Sequence, residues 1–206
     1  MKGVLCIGGT HPPVDQAVKI MSGADIIAAA DSGFDFIWKN ELRFDYVIGD
    51  MDSTRHPEII DTLPEGMVIA LPDDKDETDT EAGLLFLKKL GAEQIIIVGG
   101  GGGRLDHLLG IVTLFNREIR PDEWYTDYDT IISIDKKRIF RNMKGKTVSF
   151  FPAGADVCRL RSSGLKWKLD ALQWRQGDAG ISNIVTSRTM TVEPVSGRAI
   201  CIFSQT

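Results

Sequence analysis

Short, continuous apolar runs alternate with helix-like segments through the first two thirds of the chain, and this alternation constrains the fold most. The runs occupy residues 4–7, 26–30, 45–48, 67–70, 94–98 and 131–134, and the helical patterns occupy 14–21, 34–40, 78–90 and 106–116. Strands that are apolar throughout are typical of a parallel sheet covered by helices on both faces. The pattern therefore predicts an α/β fold, with a mostly parallel, Rossmann-like sheet flanked by helices.

A different pattern begins near residue 136. Short strand-like runs at 137–140, 147–151, 157–160, 166–169, 189–192 and 199–203 are separated by turns that are rich in glycine. Many short strands at regular spacing indicate a sandwich built only from β-strands. We therefore expect two domains, an α/β domain over residues 1–135 and a smaller all-β sandwich domain over residues 136–206.

The composition excludes several classes of protein. The 206 residues carry a net charge of −5, whereas a general nucleic-acid-binding surface is usually basic. Cys6, Cys158 and Cys201 are odd in number and far apart, so they do not form a disulfide framework or a paired metal-ligand motif. No apolar run approaches the length of a membrane span, and the N-terminus lacks a signal-peptide pattern. We expect a cytoplasmic protein that binds neither membranes nor nucleic acid.

Chemically distinctive residues follow the ends of the predicted strands. In an open α/β sheet, ligands bind beside the carboxyl ends of the strands, and parallel strands bring these ends to one edge. Gly8 and Gly9, Asp31, the segment 50–52 and the segment 99–104 each follow one of the runs, and another run leads into the acidic segment 73–79. The sequence therefore predicts a binding site along this edge.

Asp50 and Asp52 follow one of these strands, in the stretch VIGDMDS. Alternate residues of an extended chain point to the same side, so we expect the two carboxylates to aim at one point. Two negative charges held close together are unfavourable unless a cation lies between them. Mg²⁺ prefers oxygen ligands and typically binds one or two carboxylates together with substrate phosphates. The pair thus favours a metal and phosphate site.

The acidic segment 73–79 leads into a predicted helix. Thr78 and Glu81 fit a capping box, in which Thr78 caps the N-terminus of the helix. Acidic residues in the first turn also interact favourably with the helix dipole. Capping does not require the other carboxylates of the segment, which include Asp76. A second acidic cluster beside the first pair favours a bound cation.

The segment GGGGGRLDH, residues 99–107, joins a predicted strand to a predicted helix. Glycines let the backbone approach a ligand closely, and a glycine-rich turn before a helix can bind phosphate through its N–H groups. The segment is not a Walker A loop, because Gly-Lys-Ser/Thr is missing. Arg104 fits either a phosphate or a neighbouring carboxylate, and Asp106 fits either a helix cap or a functional residue. A flexible loop is the alternative to a phosphate site.

Other polar and aromatic residues carry weaker signals. Asp31 ends a strand and Ser32 precedes a helix, which an ordinary N-cap explains. The histidines are scattered and no serine lies in a nucleophile motif, so zinc binding and nucleophilic hydrolysis have little support. Trp167 and Trp174 fit a domain core, although a β domain with two tryptophans also offers a surface for a flat heterocycle.

Several motifs, taken together and in order, resemble the thiamine pyrophosphokinase family. They are ADSGFDFIWKN (30–40), DYVIGDMDS (45–53), DKDETDTEAGL (74–84), GGRLDHLLGIVTLF (102–115), SSGLKWKL (162–169) and GISNIVTSRTMTVEPVSG (180–197). The resemblance covers nearly the whole chain. Two features depart from the family: its usual ADGGAN is ADSGFD here, and an aromatic residue that some members place after the SN pair is missing.

The resemblance implies an α/β catalytic domain, a β-sandwich thiamine-binding domain and a homodimer with the substrate site near the subunit interface. It implies Mg²⁺-dependent transfer of the pyrophosphoryl group of ATP to the hydroxyl of thiamine, which yields thiamine diphosphate and AMP. By motif, Asp50, Asp52 and Asp79 are metal ligands and, with Arg104, catalytic residues. The residues implied in binding ATP are Asp31, Ser32, Asp76, Thr78, Arg104, Asp106 and His107. The residues implied in binding thiamine are Ser182, Asn183 and Trp167, with Trp174 as the alternative aromatic residue.

Three other interpretations share these motifs. A diphosphokinase for another hydroxymethyl heterocycle, such as a pterin, has the same acidic metal site and a different acceptor pocket. A nucleotide-binding regulatory module binds Mg-ATP without turnover. A purely structural interpretation, in which every aspartate is a cap, requires the alignment of the strand ends to be accidental.

Overall fold

The structure, a computed structural model, describes residues 1–72, 74, 76–154 and 156–204. The chain divides into two compact units: unit 1 comprises Met1–Leu114 and Glu118–Asp127, and unit 2 comprises Phe115–Arg117 and Tyr128–Thr206. The domain limits of 1–135 and 136–206 stay a prediction, and residues 128–135 group with unit 2. Asp73, in the predicted acidic segment, lies outside the described residues.

Unit 1 alternates strands and helices. Its strands are β1 (Lys2–Cys6), β2 (Ile26–Ala30), β3 (Tyr46–Gly49), β4 (Val68–Ala70), β5 (Gln94–Val98) and β6 (Glu123–Tyr125). Its helices are α1 (Val14–Met21), α2 (Gly33–Lys39), α3 (Pro57–Ile60), α4 (Asp79–Lys89) and α5 (Leu105–Leu114). The strands pair in parallel, in the order β6-β5-β1-β2-β3-β4. The expected α/β architecture is confirmed, and the carboxyl ends of these strands share one edge.

The apolar runs of unit 1 form strands that are buried on both faces. In β1, β2 and β5, every residue after the first is buried. Val4 lies opposite Ile27 on one side and Ile96 on the other, so branched side chains stack across three neighbouring strands. Such side chains suit a pleated surface that is covered above and below.

Helix α4 begins and ends as its sequence predicts. The Thr78 hydroxyl accepts the N–H of Glu81 at 3.2 Å, which confirms Thr78 as the N-cap. Gly91, with a φ of 94°, follows the last turn as a helix-terminating glycine. No helix in the described part of the chain is both long enough and apolar enough to cross a membrane.

The end of the predicted parallel series differs from expectation. Residues 131–134 lie in β7 (Asp129–Ile134), which pairs antiparallel with β13 (Arg198–Ser204) in unit 2. An apolar run does not encode strand direction, which here follows from a partner near the end of the chain. The three-residue strand β6 was not predicted, because it lacks an apolar run. Among the described strands, parallel pairing is confined to unit 1, so the fold is mixed rather than mostly parallel.

Unit 2 is rich in β structure. Its strands are β7, β8 (Arg138–Arg141), β9 (Thr147–Ala153), β10 (Arg159–Ser163), β11 (Gly180–Ile184), β12 (Thr189–Ser196) and β13. They pair antiparallel, in the orders β11-β9-β13-β7 and β10-β12-β8. One buried cluster includes Phe150 from the first set and Met190 from the second, as in the layers of a sandwich. The predicted strand at 166–169 is wrong, because only an isolated bridge between Leu165 and Val185 forms there.

Candidate active site

Asp31, Asp50 and Asp79 come together at the carboxyl edge of the unit 1 sheet. Asp31 follows β2, Asp50 follows β3, and Asp79 opens α4, which packs against both strands. One carboxylate oxygen from each residue lies within 4.8 Å of the other two, and all three residues are partly buried. The sequence predicted Asp50 and Asp79 as metal ligands but assigned Asp31 to the nucleotide.

The turns after β2 and β3 have backbone conformations that residues other than glycine rarely adopt. Asp31 and Met51 have φ angles of 44° and 65°, in the left-handed region. The Met51 N–H donates to Asp31 Oδ1 at 3.3 Å and so ties the two turns together. Gly49 has a φ of 146°, and a Cβ at this position would overlap the Asp31 carboxylate. Glycine at position 49 therefore leaves the space that the Asp31 carboxylate occupies.

Among the described residues, the cluster of carboxylates consists of Asp31, Asp50 and Asp79 and does not include Asp52. The left-handed Met51 turns the chain, and the Asp52 N–H donates to Asp50 Oδ1 at 3.2 Å across that turn. The expectation that Asp50 and Asp52 point the same way along an extended chain is wrong for this reason. Asp52 is exposed, and its role as a metal ligand stays a prediction.

The three carboxylates repel one another, and the pKa of Asp31 reflects that repulsion. Its pKa is raised to about 7, first by burial, then by its hydrogen bond with Asp79 and the charge of Asp79, and last by the charge of Asp50. The hydrogen bond from the Met51 N–H lowers this pKa. Without a cation, the Asp31 carboxyl group is therefore protonated more readily than an ordinary aspartate.

This set of oxygen atoms fits a divalent cation. Carboxylate oxygens are ligands of the kind that Mg²⁺ prefers, and they suit neither thiolate-binding nor imidazole-binding metals. Three acidic groups at this spacing are favourable only when a positive charge compensates them. Asp31, Asp50 and Asp79 are thus the residues in the described part of unit 1 that are arranged to hold a metal.

The glycine-rich loop 99–103 is tied to its neighbours by its own backbone. The N–H groups of Gly99, Gly100 and Gly101 donate to the carbonyl oxygens of Tyr125, Gly8 and Thr10 at 2.9, 2.6 and 3.0 Å. These three amides are therefore engaged within the protein. Gly102 and Gly103, with φ angles of 64° and 71°, lead into α5. The sequence predicted a loop of five glycines whose N–H groups bind phosphate, whereas three of these N–H groups bond within the protein.

Arg104 pairs with Asp106 at the start of α5. Its Nε donates to Asp106 Oδ1 at 3.1 Å, and its terminal nitrogen donates to Oδ2 at 2.5 Å. Each partner shifts the pKa of the other, so the pKa of Arg104 is raised and that of Asp106 is lowered. The His107 N–H also donates to Asp106 Oδ1. Of the two alternatives for Arg104, the structure shows the neighbouring carboxylate.

The other residues predicted to bind ATP lie near helix starts. Ser32 precedes α2, makes no side-chain capping hydrogen bond, and packs its hydroxyl over Gly8, where a Cβ would overlap it. Asp76 is exposed in the segment before α4. Thr78 uses its hydroxyl in capping that helix. The structure therefore gives Thr78 a local role, and the roles of Ser32 and Asp76 toward ATP stay predictions.

In unit 2, Asn183 and Trp167 form one hydrogen-bonded arrangement. Asn183 Oδ1 accepts the Trp167 N–H at 3.2 Å, and Asn183 Nδ2 donates to the Trp167 carbonyl at 2.6 Å. Oδ1 also accepts the N–H of Ile184 at 2.9 Å. Asn183 is only 5% exposed, whereas Trp167 is 53% exposed and has Lys166 Nζ 4.5 Å from its ring centroid. The buried amide thus holds an exposed indole.

The remaining residues predicted to bind thiamine differ in exposure. Ser182 is exposed, has a φ of 60°, and donates its N–H to Ser149 Oγ at 3.1 Å. Its left-handed conformation accompanies a register shift between β11 and β9. Trp174 belongs to the buried core cluster and packs against Gly180. Between the two tryptophans of unit 2, Trp167 is therefore the one with a solvent-facing ring.

Sequence reasoning missed two residues near the strand ends. His11 stacks flat against Phe36 with ring centroids 3.9 Å apart, and burial lowers the pKa of His11. Asp35 accepts hydrogen bonds from residues that follow Asp52. The sequence signal for Asp35 was its place four residues after Asp31, on the first turn of α2. His11 carried no comparable signal, because its partner is distant in the sequence.

Comparison with known proteins assigns the family. A family model described as the thiamin pyrophosphokinase catalytic domain matches residues 17–137, and one described as the vitamin B1 binding domain of the same enzyme matches residues 129–198. The chain belongs to the thiamine pyrophosphokinase family. The catalytic match contains Asp31, Asp50 and Asp79, whereas the vitamin B1 binding match contains Trp167 and Asn183. The two arrangements thus lie in separately matched parts of the chain.

This family member has relatives in plants, and a bacterial protein shares its fold. Thiamine pyrophosphokinase 2 of Arabidopsis thaliana is 28% identical over 172 residues, which cover 77% of this chain and 64% of the plant protein. Thiamine pyrophosphokinase 1 of Oryza sativa subsp. japonica is 25% identical over 170 residues, which cover 72% of this chain and 61% of the rice protein. The chain thus matches less than two thirds of the length of these relatives. The crystal structure of thiamine pyrophosphokinase from Bacillus subtilis has the same fold, with a TM-score of 0.81 over the whole of both chains at 21% identity.

Proposed function

We propose that this protein transfers the pyrophosphoryl group of ATP to the hydroxyl group of thiamine, giving thiamine diphosphate and AMP. The observation that supports this most is the group of Asp31, Asp50 and Asp79, whose carboxylate oxygens lie within 4.8 Å inside the part matched by the family's catalytic domain. Phosphoryl transfer depends on positioning and charge neutralisation more than on covalent help from the protein. The three carboxylates at the strand ends form a site for a cation that would position the phosphates and neutralise their charge.

Mg²⁺ is the cation that we assign to this group, with Asp31, Asp50 and Asp79 as its protein ligands. When bound, it neutralises charge on the phosphates of ATP and on the leaving AMP. Asp52 follows Asp50 across the turn at Met51, and we assign it to the same phosphate region. Because the pKa of Asp31 is raised, a cation held by this residue would favour the loss of its proton.

The remaining steps follow from the chemistry of the substrates. The thiamine hydroxyl oxygen attacks the β-phosphorus of ATP, the bond from this phosphorus to the bridging oxygen of the α-phosphate breaks, and AMP leaves with the electron pair. The hydroxyl proton passes to a carboxylate, for which Asp50 and Asp79 are the candidates. Arg104 exchanges Asp106 for a phosphate oxygen, because an exposed ion pair of this kind contributes little free energy to hold it in place.

The other predicted ATP contacts complete this side of the proposal. Thr78 acts by starting α4, so that Asp79 lies at the N-terminus of the helix. Ser32, Asp76 and His107 lie at or before the starts of α2, α4 and α5, and we assign them to the surroundings of the nucleotide. Positive partial charge at helix N-termini favours phosphate there.

On the acceptor side, we assign Trp167 as the surface on which the thiamine ring packs, with Ser182 as a polar contact. We assign Asn183 a different role from the one expected. Its amide is engaged by both peptide groups of Trp167, so it positions that residue rather than binding thiamine directly. A homodimer with the thiamine site near the subunit interface is part of this proposal.

Phosphorus NMR of the purified protein with Mg-ATP and thiamine tests the reaction. AMP together with thiamine diphosphate is the expected result. ADP with thiamine monophosphate would mean transfer of a single phosphoryl group and would contradict the mechanism. Consumption of ATP with a pterin alcohol but not with thiamine would identify a different acceptor, and Mg-ATP binding without any product would identify a regulatory module.

A further inference from the structure

Asp35, on the first turn of α2, is bonded to the loop that carries Asp50 and Asp52. Its Oδ1 accepts the Thr54 hydroxyl at 2.7 Å and the Arg55 N–H at 3.0 Å, and its Oδ2 lies 3.2 Å from the same N–H. The Thr54 hydroxyl oxygen in turn accepts the N–H of His56 at 3.2 Å. One carboxylate therefore holds the segment 54–56, which has no regular structure of its own and ends where α3 begins.

The same loop has a second attachment point at its other end. The Met51 N–H donates to Asp31 Oδ1 at 3.3 Å, directly after Asp50. Asp31 precedes α2 and Asp35 lies on its first turn, so one short stretch of chain fixes both ends of the loop. Residues 51–56 are thus held from the side of α2 rather than by a strand partner.

The loop needs such attachments because of what it carries. Asp50 lies beside two other carboxylates, and their like charges favour movement of Asp50 away from them. Met51 is in the left-handed region, which is unfavourable for a residue with a side chain and persists only when surrounding contacts impose it. The hydrogen bonds from Thr54 and Arg55 to Asp35 hold the loop in place and so oppose both effects.

We propose that Asp35 is a positioning residue for the cation site. By holding residues 54–56, it fixes the loop that presents Asp50 to Asp31 and Asp79. This inference rests on the proposed function of that carboxylate group. It assigns Asp35 no contact with the cation, because both of its oxygens are turned to the loop.

Two substitutions at position 35 separate hydrogen bonding from charge. Asp35→Ala removes the acceptor. Asp35→Asn removes the charge but keeps one oxygen, which is all that the bonds from Thr54 and Arg55 through Oδ1 require. Asp45→Ala is the matched control, because the Asp45 carboxylate accepts the backbone N–H of Ile27 at 2.8 Å at the opposite end of β3. Thr54→Val, which keeps the side-chain size and removes both the bond to Asp35 and the bond from the His56 N–H, replaces Asp35→Ala if that variant does not fold.

Two measurements on the metal-free protein are needed: amide hydrogen exchange across residues 50–56, and binding of Mn²⁺ followed by electron paramagnetic resonance. We expect Asp35→Ala to exchange faster at Arg55 and His56 and to bind Mn²⁺ roughly tenfold more weakly, the lower end of the effect of removing groups that orient metal ligands. Asp35→Asn should stay within about threefold of the original protein, since its hydrogen bonds survive. The Asp45→Ala control should leave Mn²⁺ binding and loop exchange unchanged.

Two outcomes would overturn the inference while leaving the cation site in place. Unchanged Mn²⁺ affinity in Asp35→Ala, with faster loop exchange, would show that the site does not depend on how the loop is held. Equal losses in Asp35→Ala and Asp35→Asn would show that charge, not hydrogen bonding, is what Asp35 contributes. Absence of Mn²⁺ binding by the unmodified protein would instead overturn the proposed carboxylate site, and this inference with it.

Discussion

The two units hold their buried polar groups in opposite ways. In unit 1, Asp31, Asp50 and Asp79 face one another, and burial together with repulsion raises the pKa of Asp31 to about 7. In unit 2, the Asn183 amide is more deeply buried, yet its donor and acceptor meet the peptide groups of Trp167. Facing like charges are unfavourable until a ligand compensates them, whereas a matched amide is satisfied by folding alone.

The contrast between facing carboxylates and a hydrogen-bonded amide indicates which substitutions affect function without affecting stability. The carboxylate group of unit 1 opposes folding in the absence of a cation, so its neutral variants should lose activity without losing stability. The Asn183 amide supports folding and the position of Trp167 together, so its variants should affect both properties.

Asp50→Asn should lower turnover by at least about a hundredfold, because it removes a charged ligand of the cation that would neutralise the phosphates. Steady-state kinetics with Mg-ATP and thiamine measure this effect, and circular dichroism and thermal unfolding report the fold. We expect the melting temperature to be unchanged or higher, since repulsion with Asp31 is relieved. Asp45→Asn, at the other end of β3, is the control and should retain full turnover. Near-normal turnover in Asp50→Asn would remove the carboxylate group from the mechanism.

Gly49→Ala should reduce turnover by roughly tenfold or more, because its methyl group would occupy the space of the Asp31 carboxylate and displace a ligand. It should also lower the free energy of unfolding by about 1–2 kcal/mol, the usual effect of a Cβ at positive φ. Gly66→Ala separates the two effects, since Gly66 has a φ of 87° and an added methyl group there would meet no other atom within 4 Å. Comparable activity losses in both variants would show that strain, rather than the Asp31 position, is responsible.

Asn183→Asp should raise the KM for thiamine by about tenfold and change kcat little, because a carboxylate oxygen replaces the donor to the Trp167 carbonyl and repels it. Trp167→Ala should raise the same KM, whereas Trp167→Phe should recover part of the affinity. Asn142→Asp is the control in the same unit, since it keeps the acceptor that binds Arg188. A fall in kcat with an unchanged KM would contradict the positioning role of Asn183.

Asp31→Asn should change how stability depends on pH. A carboxyl group whose folded pKa is raised to about 7 binds a proton on folding between its ordinary pKa, near 4, and pH 7, so its contribution becomes unfavourable as pH rises through that range. The variant should therefore gain stability relative to the unmodified protein from pH 4 to 7, and the gain should level off above pH 7. Because Asp31 is partly exposed, we expect a gain in melting temperature of only about 2–4 °C.

Thermal unfolding without divalent cations, at half-unit steps from pH 4 to 8, measures this difference. Added Mg²⁺ should raise the melting temperature of the unmodified protein more than that of Asp31→Asn, because ligands that bind the folded state stabilise it. Parallel stability curves for the two proteins over the whole pH range would mean that Asp31 is ionised throughout, contrary to its crowded position.

The sequence was informative wherever a pattern is local. Apolar runs predicted the central strands of unit 1, Thr78 and Glu81 predicted the start of α4, and the order of βα units predicted the edge at which the carboxylates meet. The direction of β7 was not predictable, because its partner β13 lies more than 60 residues later in the sequence. Long-range pairing is invisible to a pattern read over a few residues.

For Asp50 and Asp52, the prediction and the structure differ because of one backbone dihedral angle, the φ of Met51. Asp50 and Asp52 point together only in an extended chain, and the left-handed Met51 between them removes that condition. The residue type does not predict this conformation, since methionine rarely adopts it. The amide bonds of Asn183 and the loop bonds of Asp35 were likewise hidden, because each joins segments 16 to 20 residues apart.

The backbone ties of the glycine-rich loop have a consequence for the thermodynamics of binding. Five consecutive glycines would ordinarily lose much conformational entropy when a ligand orders them. Here the N–H groups of Gly99, Gly100 and Gly101 are already bonded to the last residue of β6 and to the segment that follows β1, so that loss accompanies folding. A phosphate that reaches Gly102 and Gly103 therefore orders little further chain. The free energy of its contacts is then offset less by the entropy of ordering the loop, and the affinity is higher.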